Sequence, residues 1–236
     1  MFKKLALVGA LALTASSAFA SVITYVTQSG STLDQLPVSA SATFTTSEDT
    51  LTISLTSLLA NPTSVIKLIS DLSFTLSEDV IGDLTLASSS ATEITINADK
   101  TATTGGTVAT GWVLSDPSSP TIHLDVLAAG GAGPAHLVIG PGPYTNANGS
   151  ITAGNNDPHN PFLMSSPIFT LTNATISADT TVTAATFSFG TTSGRDVPGV
   201  PGSPDVPPPG VPEPATLALL GLGLAGISAF RRKQAR

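Results

Sequence analysis

Two titratable residues, His123 and Asp125, stand two positions apart in the stretch TIHLDVL. On a β-strand, residues i and i+2 share a side, so an imidazole and a carboxylate would lie on one face. A histidine beside an acid is the general base that a nucleophilic serine needs for hydrolysis. However, the chain has 28 serines, and it contains no G-x-S-x-G, H-E-x-x-H or P-loop motif. We therefore expect no enzymatic activity, with a secreted hydrolase as an alternative.

The segment 144–162, YTNANGSITAGNNDPHNPF, is the richest in Asn, Asp and His. Oxygen ligands from Asn146, Asn148, Asn155, Asn156 and Asp157 would suit Ca²⁺, although the late bidentate Glu of an EF-hand loop is missing. The same residue types are the usual turn formers. We favour a long, turn-rich loop and predict no metal or other cofactor, with a calcium site as the alternative. The three histidines are scattered, which favours structural or surface roles.

Short β-strands are the elements that would carry these residues. Apolar residues alternate with Thr or Ser at residues 51–56, 169–172 and 187–189, which is typical of half-buried antiparallel strands. Further strand candidates are residues 22–27, 42–46, 65–76, 93–97, 107–114, 121–127 and 135–139. The pattern predicts an all-β fold, an antiparallel β-sandwich or jelly-roll-like body over residues 21–193. The expected core residues are Phe44, Ile53, Phe74, Trp112, Phe169, Phe187 and Phe189.

Two binding functions are open to such a body. A carbohydrate-binding module would use an exposed aromatic residue such as Trp112 or Tyr144 against a sugar. A threonine-bearing face could bind ice, but this requires a regular array. The Thr-x-Thr pairs of this sequence are scattered and have no fixed period.

Composition and charge exclude several classes of protein. Of the 236 residues only 11% are charged, and there is no cysteine, so thiol catalysis, disulfides and zinc–thiolate sites are absent. Residues 21–211 hold three basic and 15 acidic residues, a net charge of −12. A segment this acidic is repelled by DNA, RNA and anionic lipid, so we expect no nucleic-acid partner.

Both ends of the chain carry membrane-handling patterns. Residues 1–20 combine two lysines, a short apolar run and the sequence Ala18-Phe19-Ala20 before Ser21, which predicts a signal peptide cleaved by signal peptidase after passage through the secretion translocon. Residues 215–230 are uncharged, and the basic residues Arg231, Arg232 and Lys233 follow at once. This predicts a single C-terminal transmembrane helix, with residues 231–236 as a cytoplasmic stop-transfer tail.

A Pro/Gly-rich linker is predicted between the body and this helix, over residues 194–211. Residues 194–214 contain eight Pro and four Gly, which disfavours both helix and sheet and favours polyproline II. At ~3.1 Å per residue the stretch would extend roughly 60 Å. It would hold the folded body clear of the membrane.

Residues 212–236 resemble the PEP-CTERM sorting signal. The resemblance rests on the order of Pro212-Glu213-Pro214, an apolar helix, and the cluster Arg231-Arg232-Lys233. It implies an exosortase as the membrane processing enzyme, recognition at Pro212-Glu213-Pro214, and temporary anchoring in the inner membrane. Removal of the tail and delivery to the cell surface or outside the cell would follow.

The body is also similar to a small all-β type of PEP-CTERM protein. The matching stretches are DLSFTL (71–76), HLVIG (136–140), HNPF (159–162) and ATFSFG (185–190). This second resemblance implies no activity. We therefore expect an exported surface or extracellular-matrix protein with a structural, biofilm-type role and extracellular polysaccharide as a further partner. A carbohydrate-binding module is the first alternative.

Overall fold

The computed structural model describes residues 20–77, 80, 82–128, 134–154, 159–164 and 166–202, and it is all-β there. In chain order the described strands are β1 (Ser21–Thr27), β2 (Thr32–Leu33), β3 (Leu36–Pro37), β4 (Ala40–Ser47), β5 (Thr50–Ser57), β6 (Ile69–Leu76), β7 (Thr85–Ile96), β8 (Ala102–Val108), β9 (Val113–Ser115), β10 (Ile122–Asp125), β11 (Val138–Ile139), β12 (Phe162–Met164), β13 (Ile168–Thr172), β14 (Val182–Phe189) and β15 (Asp196–Pro201). Within these ranges the only helical element is a 3₁₀ turn at Val65–Lys67. The all-β prediction is confirmed.

The β4–β5 hairpin shows how the sequence dictates a strand. Buried and partly exposed residues alternate along ASATFTTS and TLTISLTS, as the period of two requires. Glu48 and Asp49 connect Ser47 to Thr50, and Asp49 has a positive φ of 59°. Short hairpin turns use this left-handed backbone, which Asp tolerates better than most residues. Alternation and turn together set the register of the two strands.

Thirteen of the described strands form one sheet. Its order is β11-β12-β7-β13-β5-β4-β1-β15-β14-β6-β10-β9, with β8 beside β7. β11 also pairs with β6, so the path of strands returns on itself. Among the pairs described, β11 with β12 is parallel and the others are antiparallel. All but one of the described strand pairs are therefore antiparallel, as the sequence predicted, and most of them belong to one large sheet.

The two halves of this sheet line a shared interior. Phe44 of β4 and Phe74 of β6 have ring centroids 5.5 Å apart, although β1, β15 and β14 separate the two strands along the sheet. The ring of Tyr25 meets Phe44 edge-on, and its hydroxyl donates a hydrogen bond to the Val182 carbonyl at 2.9 Å. All seven residues predicted for the core are at most 3% exposed. These contacts do not distinguish a sandwich from a jelly roll, so this more detailed description of the fold stays a prediction.

Several predicted strands are shorter in the structure, for local reasons. The single strand predicted over residues 107–114 is divided, because β8 ends at Val108 and β9 begins at Val113. Gly111 between them has a φ of 73°, a left-handed backbone that interrupts a strand. In the candidate over residues 135–139 only β11 forms, since His136 has a φ of 65°.

The predicted linker over residues 194–211 is wrong at its start, because Asp196–Pro201 form β15 between β1 and β14. Val197 buries its side chain in the core. Gly199 passes so close to the sheet that a Cβ there would lie 3.0 Å from the carbonyl oxygen of Ala185. Glycine therefore serves close packing at this position rather than flexibility. The last hydrogen bond of the body runs from the Gly202 amide to the Thr24 carbonyl, so the body ends at residue 202 instead of 193.

The predicted membrane segments fall outside the described residues. This applies to the signal peptide apart from Ala20, and to all of residues 212–236. Within the described ranges, no helix is both long enough and apolar enough to cross a membrane. The transmembrane helix over residues 215–230 stays a prediction.

Two truncations test the boundary of the body. A chain ending at Gly202 keeps β15 and should unfold at the same temperature as the full chain. A chain ending at Gly194 loses the burial of Val197 and the pairing with β1 and β14. We expect its free energy of unfolding to fall by about 3 kcal/mol or more. Thermal unfolding followed by circular dichroism measures both, and equal stabilities would show that β15 does not belong to the body.

Candidate functional site

A row of polar residues crosses four neighbouring strands on the outside of the sheet. Strand pairing aligns Asp125 of β10, Asp71 of β6, Ser188 of β14 and Asp196 of β15. The residues that follow or precede them along each strand are buried in the core: Leu72, Leu124, Phe187 and Val197. His123 lies on the same outer side as Asp125. We call these five residues, His123, Asp125, Asp71, Ser188 and Asp196, the acid–histidine cluster.

Asp71 lies at the centre of this cluster. The Nδ1 atom of His123 is 3.0 Å from Asp71 Oδ2. The Ser188 hydroxyl lies 2.6 Å from Asp196 Oδ1 and 3.3 Å from Asp71 Oδ2. A serine has one hydroxyl proton, and the shorter distance assigns it to Asp196. Ser188 is therefore held between two carboxyl groups.

Burial governs the charge of Asp71. It raises the pKa of this carboxyl from its usual 3.8 to about 6. The hydrogen bond and charge of His123 lower this pKa, as does the Ser188 hydroxyl, whereas the negative charge of Asp125 raises it further. The second carboxyl oxygen, Oδ1, is buried and has no hydrogen-bond partner. The ionised form is therefore poorly compensated, and the site favours the protonated acid below about pH 6.

The acid–histidine cluster lacks the connectivity of a hydrolytic triad. In a triad the serine hydroxyl gives its proton to a histidine that an acid orients. Here Asp71 lies between His123 and Ser188, and the Ser188 proton is directed to Asp196. Ser188 is also only 5% exposed. The chemistry that this arrangement favours is the holding of a proton on Asp71.

The sequence predicted two of the five residues of this cluster. His123 and Asp125 do share a face of β10, as their spacing predicted. The partner of the imidazole is instead Asp71, 52 positions earlier in the chain. Asp71 reaches it because β6 pairs with β10, and no local pattern in the sequence reveals which strands pair.

A second histidine, His136, holds three segments together. Its Nδ1 is 2.8 Å from the Thr110 carbonyl oxygen and its Nε2 is 2.8 Å from a carboxylate oxygen of Glu93. Its own carbonyl accepts a hydrogen bond from Trp112 Nε1 at 2.9 Å. Every polar group of the residue is thus used within the body. His159 makes a similar contact, with Nδ1 3.2 Å from the Pro134 carbonyl oxygen.

The aromatic residues proposed for sugar stacking are not available for it. Trp112 is 3% exposed and packs against Phe169, with ring centroids 5.5 Å apart. Tyr144 is 6% exposed, and its hydroxyl donates to the Gly140 carbonyl at 3.0 Å. Both rings belong to the core, because their polar ends find partners inside the body. The predicted use of Trp112 or Tyr144 as an exposed platform for a sugar is therefore wrong.

Three of the calcium candidates, Asn155, Asn156 and Asp157, lie outside the described residues. In the part of the loop that is described, Asn148 acts as a turn former, accepting hydrogen bonds from the Ser150 amide and hydroxyl at 2.9 and 2.6 Å. The described ranges contain no group of three or more His, Asp or Glu residues placed to hold a metal ion.

The other half of the sheet presents hydroxyl groups. On β4 and β5 the outward residues are Ser41, Thr43, Thr45, Ser47, Thr50, Thr52, Ser54 and Thr56. Strand pairing extends them into rows. One row is Val22, Thr45, Thr52, Thr170 and Ser88, and the next is Thr24, Thr43, Ser54, Ile168 and Ser90. We call the outward side of β1, β4, β5, β13 and residues 85–90 of β7 the hydroxyl face.

The hydroxyl face corrects an inference from the sequence. The Thr-x-Thr pairs have no fixed period along the chain, yet strand pairing brings them into register in space. Adjacent hydroxyls are close enough to interact, as Thr24 Oγ1 and Thr43 Oγ1 do at 3.0 Å. An array can therefore arise from separate strands without a sequence repeat.

The described residues thus define an all-β body that precedes a C-terminal segment lying outside the described ranges. A family model described as the PEP-CTERM protein-sorting motif matches residues 210–233 of that segment. The match confirms the predicted recognition, because these residues carry the PEP-CTERM sorting motif. The motif supports an exported protein that is anchored in a membrane and sorted by an exosortase. Neither curated proteins nor solved structures gave a match.

The Asp71→Asn variant tests the electrostatics of the cluster. Because the pKa of Asp71 is higher in the folded state than its ordinary 3.8, the stability that this group contributes is complete below about pH 4. It is lost as the pH rises through about 6, a loss of at most about 3 kcal/mol. Asp71→Asn cannot ionise, so its stability relative to the parent chain should increase from pH 4 to pH 7.

Urea unfolding at a series of pH values measures this difference. Asp125→Asn is the second variant. It leaves Asp71 in place but removes a charge that raises the pKa of Asp71, so it should lose less stability than the parent chain between pH 4 and pH 7. Parallel stability curves for Asp71→Asn and the parent chain would contradict the assignment of a proton to Asp71.

Proposed function

We propose that this chain is a cell-surface or extracellular-matrix protein with a structural, biofilm-type role, released from its membrane anchor by an exosortase. The observation that supports this most is the family match at residues 210–233, which covers Pro212-Glu213-Pro214, the apolar run and the cluster Arg231-Arg232-Lys233. In this proposal residues 215–230 anchor the precursor in the inner membrane. The exosortase acts at Pro212-Glu213-Pro214, and the body is then delivered to the cell surface or beyond.

Export begins with the secretion translocon and signal peptidase. Cleavage after Ala20 would leave Ser21 as the first residue of the mature chain. Ser21 is also the first residue of β1, where it lies opposite Thr46. Cleavage at this position would therefore leave the strand complete.

Because β15 ends at Pro201, fewer residues remain between the body and the sorting motif than the predicted linker contained. Nine residues, 203–211, separate Gly202 from Pro212. A polyproline II chain of nine residues would reach about 28 Å at ~3.1 Å per residue, less than half the length predicted from the whole Pro/Gly-rich stretch. In the anchored precursor the processing enzyme would work within this distance of the body.

The proposed role is non-enzymatic. It is supported by the connectivity of the acid–histidine cluster, in which Ser188 contacts two carboxyl groups and not the imidazole. A secreted hydrolase would need a nucleophile elsewhere. A carbohydrate-binding module is the stronger alternative, because the hydroxyl face offers a surface that does not depend on Trp112 or Tyr144.

Glu213→Ala tests the sorting step. Prolines on both sides keep this segment extended and remove backbone donors, so Glu213 offers the one charge there for recognition. We expect Glu213→Ala to accumulate as uncleaved precursor in the inner membrane. Immunoblots of membrane and extracellular fractions, with and without the exosortase, measure the ratio of precursor to product.

Asp205→Ala is the matched control, because it removes an acid from the same Pro-rich stretch outside the motif. It should be processed like the parent chain. Equal processing of Glu213→Ala and the parent chain would refute recognition at Pro212-Glu213-Pro214.

A further inference from the structure

The hydroxyl face differs in charge from the rest of the body. Residues 21–202 hold 14 acidic and three basic residues, a net charge of −11. Yet the outward positions of the described strands β1, β4, β5 and β13, and of residues 85–90, include no charged residue. A partner that covers this face therefore desolvates no charged side chain on it.

The same face exposes large apolar side chains. Val22 and Ile168 stand among the hydroxyl rows and are 52% and 46% exposed. Val200 of β15, opposite Val26 at the border of the face, is 40% exposed. These are three of the five large apolar side chains that the described residues leave most open to solvent. Exposed apolar side chains therefore lie beside the hydroxyl groups of the face.

The size of the face follows from strand geometry. Five strands at ~4.8 Å spacing give a width of about 19 Å. The four outward positions of β4 and β5, at ~6.8 Å spacing, give a length of about 20 Å along these two strands. This is large enough to contact several units of a polymer at once. Each hydroxyl both donates and accepts a hydrogen bond, so the face matches a partner with the same dual capacity.

Charge decides among the partners that could cover such a face. A second copy of the chain would bring two bodies of net charge −11 together, which opposes self-association. Polyanions are repelled for the same reason. A neutral polysaccharide presents hydroxyls that match the threonine and serine rows, and C–H surfaces that match Val22, Ile168 and the threonine methyls.

We propose that the hydroxyl face binds a neutral, polyhydroxylated polymer, a polysaccharide without ionised groups. This proposal extends the proposed matrix role. It rests on that role only in one respect, namely that the exported protein meets the polysaccharide at the cell surface or in the matrix. Binding is by hydrogen bonds and apolar contacts, with no aromatic platform. It should therefore depend little on salt concentration.

The test uses the full chain in a polyoxyethylene detergent, which contains no sugar that would compete. Retention on insoluble cellulose and on an insoluble β-1,3-glucan is compared with retention on alginate beads, an anionic polysaccharide. The face variant is Thr43→Val with Thr52→Val, which keeps the β-branched shape and removes two hydroxyls from neighbouring strands. The matched control is Thr75→Val with Thr186→Val, on the outside of the opposite half.

We expect at least one neutral glucan to retain the parent chain and the control variant equally. The face variant should bind about tenfold or more weakly, since each lost hydrogen bond is worth a factor of roughly five. Retention should change little between low and high salt, and alginate should retain none of the three chains. Equal melting temperatures confirm that the variants are folded.

Several outcomes would overturn the proposal. They are no retention on either neutral glucan, equal retention on alginate, or equal loss of binding in both double variants. A dimer that sedimentation velocity detects in the parent chain but not in the face variant would assign the face to self-association. Inhibition of ice growth that only the face variant loses, without glucan binding, would assign it to ice. Exosortase processing is measured separately, so neither result decides the other.

Discussion

Each strand of the large sheet has one apolar side, and the pairing must turn all of these sides toward one interior. A slip of one residue between β4 and β5 would carry Phe44 or Ile53 out into water and bring threonines into the core. This constraint also decides which polar residues meet outside, because fixing one side of a strand fixes the other. The hydroxyl face and the acid–histidine cluster are the outer sides of the two halves whose inner sides share the Phe44–Phe74 contact.

The two outer sides carry different chemistry because their strands differ in which polar residues alternate with the apolar ones. On β4, β5 and β13 those residues are serine and threonine, which suit a pleated surface and need no counter-charge. On β6, β10, β14 and β15 they include Asp71, His123 and Asp196. The pairing crowds these groups, so the high pKa of Asp71 results from burial in an acidic neighbourhood. Neutral and ionisable surfaces are thereby separated on one body.

Local patterns in the sequence predicted the strands and the core residues, because both depend on the alternation of neighbouring residues along the chain. The alternation in TLTISLTS predicted β5, and the aromatic residues with the same alternation predicted the core. Partners could not be predicted in this way. Asp71 meets His123, and Thr52 meets Thr170, only through pairs of strands distant in sequence. Composition gave a wrong prediction at the start of the linker. The prolines of that stretch favoured polyproline II, yet Val197 and Gly199 lie in strand β15.

β15 is the last described strand of the body, and the sheet closes only when it pairs with β1. β15 pairs with β1, the first strand after the predicted signal peptide, and their contacts join residues more than 170 positions apart. Such contacts form only after the whole intervening chain is available, and closing so long a loop is slow. In the proposed pathway the sorting segment follows β15 into the membrane. An anchored precursor would then keep β15 on the outer side while the sheet closes, and release by an exosortase would follow folding instead of competing with it.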